Sequence, residues 1–283
     1  TVLMGLVGGY PSGAAGISSL LKKKVITQKQ AERMLFFCVN AGPAFVISLV
    51  GSLILKNNKT GIIIFLSCLI SSILIGVFTS FTDKMPCNIE ATHKSEKFDT
   101  AIINSAMDAS RSMLRLCSCI LVFSIITSIL DSSGINVIIS QCISSVFRLH
   151  INDSTSLIYM ISEITNGINI AAKLNAPHVL FTFGIAFGGL CVHFQVFSFF
   201  DKFPGRKFKF IFFRFVHGIL SSVLFLIIKR YTPDASTVFI NTSPAIDITP
   251  SFNAPLAGSI SLIIMCIAFL LISFYFSGRE NKR

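Results

Sequence analysis

The sequence predicts an all-α, polytopic membrane protein, and three observations lead there. Of 283 residues, 52% are hydrophobic and 13% charged, with 28 Phe. Mean hydropathy is +0.74, and several apolar segments reach the roughly 20 residues that a helix needs to cross a bilayer. Soluble core helices rarely stay this long and this apolar.

The chain opens with VLMGLVGGYPSG, which has neither the basic start nor the cleavage site of a signal peptide. It begins on Thr1, so residues upstream are expected to be missing. Gly5, Gly9 and Gly13 recur every four residues around Tyr10-Pro11-Ser12. Small residues at that spacing allow close helix contact; Pro11 removes a backbone donor, and Gly13 frees the chain to reverse. After Lys22, Lys23 and Lys24 comes QKQAERMLFFCVNAGPAFVISLVG, a helix interrupted at Asn40-Ala41-Gly42-Pro43. Residues 60–82 then form a clean span. The helix over 101–130 is apolar only after Cys117; its polar stripe of Asn104, Asp108, Arg111 and Arg115 marks where it leaves the membrane interface.

Residues 135–148 set Ile138, Ile139, Cys142, Ile143, Val146 and Phe147 on one helical face and Gln141, Ser144, Ser145 and Arg148 on the other. That pattern predicts a helix lying flat on the outer surface. Residues 154–176, with EITNGIN at their centre, are too polar to cross and are expected to enter the membrane and turn back. Gly167 permits the turn, while Thr165, Asn166 and Asn169 offer hydrogen bonds to backbone that lacks them. A second broken helix follows over 178–200, interrupted by Gly184, Gly188, Gly189, His193 and Gln195. Residues 210–228 form a span that carries Arg214 and His217, and 255–276 form the last one.

The net charge of +11 reads as topology rather than as nucleic-acid binding, because cytoplasmic loops carry excess Lys and Arg. With Lys22 to Lys29 inside, the inner loops hold fourteen basic residues and the outer segments six. The tail after Ser277 is then cytoplasmic in a cell-membrane protein, and the 231–254 loop lies outside. Four parts result: a first hairpin repeat over 1–82, a linking helix and outer surface helix over 83–153, a second hairpin repeat over 154–229, and an outside loop with the last span over 230–283. One hairpin opens inward and the other outward, which makes an inverted repeat with two re-entrant helical hairpins and broken transmembrane helices. Interrupted segments at matching places in two halves point to a binding site near the midplane.

A carboxylate inside a bilayer is costly and by default marks an ion or solute path, so Glu163 leads the candidates. The expected site for a small polar solute or ion is formed by Tyr10, Ser12 and Gly13 from the first hairpin, Asn40 and Gly42 from the first break, Glu163, Thr165, Asn166 and Asn169 from the second hairpin, and Gln195. Lys173 is a rival partner for Glu163 as a structural ion pair. The eight cysteines lack a CxxC pair and the five histidines lack metal spacing. No enzymatic motif, metal site or cofactor is expected.

The motifs GGYPSGA, AERMLFFCVNAGPAF, SEITNGI and AFGGLCVHFQ together resemble the sporulation integral membrane protein YlbJ family, which carries the nucleoside-recognition or Gate domain. The resemblance covers essentially the whole chain. It implies a multi-pass protein of the sporulating cell, associated with spore envelope or cortex formation. The order of elements is similar to the core of concentrative nucleoside transporters, which implies a homo-oligomer, often a trimer. Three functions remain open at this point: a transporter-like protein moving a small polar solute or ion, a non-transporting scaffold of spore assembly, and an intramembrane enzyme, which would need an acid-base pair that the sequence does not show.

Overall fold

A computed structural model describes residues 2–82 and 98–232, and all of these belong to one compact unit. The expected last span at 255–276, the 231–254 loop after Thr232 and the basic tail lie outside the described residues. Among the described residues the chain is entirely helical, without strands.

Among the described residues four helical stretches are long and apolar enough to cross a membrane: Asn58–Phe81, Ala106–Ser132, His178–Ser198, which is broken at Gly188, and Lys207–Tyr231. The surface they present is inverted relative to a water-soluble protein. On the long helix α5 (Phe98–Ser132), Leu121, Ile125 and Ile129 are 64%, 60% and 61% exposed. Apolar area of this extent is stable only against an apolar medium or partner, and the bilayer supplies one. The helix over Ile135–Phe147 (α6) follows the same rule: Asn136 and Ser140 are buried, while Ile138, Ile139, Val146 and Phe147 point outward.

The first part of the chain forms α1 (Val2–Val7), α2 (Tyr10–Lys22) and α3 (Gln28–Phe37), then a π-helix over Ala44–Ile54, then α4 (Asn58–Thr82). Thr27 and Gln30 start α3 with a reciprocal capping box. The chain leaves helical geometry between Cys38 and Pro43, as the Asn-Ala-Gly-Pro interruption predicts, and Pro43 with φ −61° starts the π-helix. The second part forms α7 (Ile151–Ser162), α8 (Ile164–Lys173), α9 (His178–Phe187), α10 (Gly189–Ser198) and α11 (Lys207–Tyr231). Here the break falls at Gly188, whose φ of 88° is left-handed.

Two local expectations need correction. The first chain reversal lies at Gly9 (φ 93°), not at Gly13, which sits inside α2. The second lies at Glu163, in extended backbone, and Gly167 is inside α8. Both inner glycines act by close approach instead. A Cβ on Gly13 would collide with the Cys38 carbonyl oxygen, and one on Gly167 would come within 2.5 Å of the Met160 Cα. Spacing of small residues alone does not distinguish a turn from a close crossing.

The core gathers around the two breaks. Leu35, Val39, Val46 and Ile64 from the first part pack in one cluster with Met160, Ile168, Phe181, Ile185 and Phe210 from the second. Helix α11 lies against both α9 and α4 and buries a stripe of Phe210, Arg214, His217, Ser221 and Phe225.

Candidate functional site

A helix that ends inside the protein leaves the carbonyls of its last turn without backbone partners, and in an apolar setting each must find a donor. Helix α9 ends in this way at Gly188. The Ile185 carbonyl accepts from the Tyr10 hydroxyl at 2.5 Å. The Ala186 carbonyl accepts from Arg214 Nη2 and faces His217 Nδ1 at 3.0 Å. The Phe187 carbonyl accepts from Arg214 Nε at 3.3 Å and faces His193 Nε2 at 3.0 Å.

The same guanidinium reaches the other broken helix, where Arg214 Nη1 donates to the Val39 carbonyl just beyond the end of α3 at 2.5 Å. At that end the Phe37 carbonyl accepts from Asn40 Nδ2 at 2.8 Å and from the Ser72 hydroxyl. Arg214 is fully buried, and its hydrogen-bonded acceptors are three backbone carbonyls. Its charge is offset by two helix C-termini, the negative ends of the helix dipoles. His217 ties in α4 as well, since its Nε2 lies 3.0 Å from the Cys68 carbonyl; the neutral ring donates to one of its two carbonyls, and only the imidazolium donates to both.

Glu163 occupies the opposite kind of helix end. Its two carboxylate oxygens accept from the backbone N–H groups of Thr165, at 2.8 Å, and Asn166, at 2.7 Å, so it caps the N-terminus of α8. Each buried charge therefore sits at the helix end that suits its sign. Lys173 is exposed and Glu163 is committed to backbone, which removes the motive for the rival ion pair.

The expected site residues separate into two groups. Tyr10, Gly13, Asn40, Glu163 and Gln195 are buried around the breaks, while Asn166 and Asn169 are exposed and Ser12, Gly42 and Thr165 are half-buried. Ser12 donates to the Gly9 carbonyl at 2.8 Å, and the Gly42 carbonyl accepts from the N–H groups of Phe45 and Val46. Gln195 Nε2 lies 3.4 Å from Cys191 Sγ. The Tyr10 hydroxyl donates its hydrogen bond to the Ile185 carbonyl rather than to the EITNGIN segment, and its ring lies beside Gly188. Asn40 Oδ1 and His193 Nδ1 are buried without a hydrogen-bond partner.

Arg214 is the residue that sequence reasoning passed over. The pattern places it only as a charge carried within the 210–228 span, yet the rule that singles out Glu163, that a charge at membrane depth is there for a reason, applies to it equally. Among the described residues no group of three His, Cys, Asp or Glu is placed to hold a metal ion. No family model, no curated protein and no solved structure matches the chain.

Proposed function

We propose that this chain is a transporter-like multi-pass membrane protein that moves a small polar solute or ion. In this reading α1–α2 and α7–α8 are re-entrant hairpins. Each is followed by a broken helix and then a span, so that the two halves form an inverted repeat. The observation that carries the reading is that the broken ends of α3 and α9 converge on one side chain, Arg214. Interrupted helices whose ends meet inside the protein are the usual construction of a midplane site.

The YlbJ resemblance supports a place in the envelope of the sporulating cell, and the charge count supports a cytoplasmic tail. A non-transporting scaffold of spore assembly is the second reading. It is favoured by how completely Arg214, Tyr10 and Glu163 are committed to backbone groups. Uptake into vesicles reconstituted with the purified protein, measured against a panel of polar metabolites and ions, separates the two. Transport of any one solute above protein-free vesicles supports the first reading. Folded, correctly inserted protein that moves none of them supports the scaffold.

A further inference from the structure

Carbonyl oxygens at the C-terminal ends of broken helices are hard, partly negative ligands, and in transporters built this way such ends coordinate Na⁺. The carbonyls of Val39, just past the end of α3, and of Ala186 and Phe187, at the end of α9, form a cluster drawn from the two breaks. A guanidinium already occupies it. Arg214 is fully buried and lies in the middle of the buried stripe of α11, with Phe210 before it and His217, Ser221 and Phe225 after it. The side chain cannot leave unless α11 moves with it.

We propose that Arg214 is a tethered cation filling the carbonyl cluster of the two helix breaks, so that no alkali-metal cation binds there. Asn40 Oδ1, next in sequence to Val39, is a further buried acceptor without a partner at the first break. One consequence rests on the transporter reading: solute movement draws no coupling sodium through this cluster. Occupancy of the cluster does not depend on that reading.

The test is thermal melting of the full chain in detergent, in sodium, potassium or choline chloride, with methylguanidinium as a soluble replacement for the side chain. Wild type is expected to melt at the same temperature in all three salts. Arg214→Ala is expected to melt lower and to recover through a saturable rise with methylguanidinium or sodium. Indifference of Arg214→Ala to every cation overturns the proposal, as does a saturable sodium response shared by wild type and variant. Arg214→Lys and Arg214→Met cover the case in which the alanine variant does not accumulate. The lysine variant is expected to accumulate in the membrane and the methionine variant to be depleted, whereas equal behaviour of the two overturns the tethered-cation role. A chain that moves no solute in vesicles refutes the transporter reading and leaves these melting shifts untouched.

Discussion

The two chain reversals, at Gly9 between α1 and α2 and at Glu163 between α7 and α8, meet the same demand by opposite means. Each starts a new helix, so each leaves backbone N–H groups of a first turn without backbone partners, and in an apolar setting such groups must be met from within the protein. The second reversal adds an acceptor: the Glu163 carboxylate takes two of the orphaned donors. The first removes a donor instead. Gly9 has no side chain with which to cap, and Pro11 in the first turn of α2 carries no N–H. Its neighbours also lack bulk, because α2 at Gly13 and α1 at Gly5 both rest on the backbone of Cys38. Subtraction permits close packing, whereas addition places a fixed negative charge inside the protein. The first half thus contributes shape and the second electrostatics.

The comparison breaks most visibly at Gly13. Gly13→Ala forces a Cβ into the Cys38 carbonyl, where neither backbone can yield cheaply, and is expected to cost about 3 kcal/mol, the upper end of ordinary overpacking. Membrane abundance and melting temperature report it, and a variant that melts like wild type refutes the close-contact account of the first reversal. Glu163→Ala comes next, at about 2 kcal/mol for a lost N-cap. Glu163→Gln retains one acceptor oxygen and should lose less than half of that in the same melting assay; identical losses for Gln and Ala would mean that capping is not what the carboxylate supplies.

Gly9→Ala sharpens the contrast with Gly13. A Cβ there has room, its nearest neighbour being the Gly42 nitrogen at 3.8 Å, but the backbone has φ 93° and ψ 165°, a region all but reserved for glycine, so only the conformational cost of about 2 kcal/mol applies. A loss as large as that of Gly13→Ala would show that the region is crowded throughout. Pro11→Ala has the smallest expected effect, about 0.5 kcal/mol from the freer unfolded chain. Urea or thermal titration resolves its sign, and a stabilised Pro11→Ala would remove donor deletion from the account.

Among the described residues the helices and their two breaks were legible in the sequence, because they follow from local chemistry. Apolar length declares a span, Asn-Ala-Gly-Pro and Gly-Gly interrupt one, and a lone carboxylate in an apolar run demands a partner. The role of each glycine was not legible, since Gly13 and Gly167 pack rather than turn, and the same missing side chain serves both purposes. Tertiary structure alone decided which helix ends meet. Val39 and Arg214 lie 175 residues apart, as do Tyr10 and Ile185, and no spacing or periodicity links positions that distant. The sequence shows how many buried backbone carbonyls each break must leave, whereas only the packing of α11 between α4 and α9 shows that one guanidinium serves both breaks.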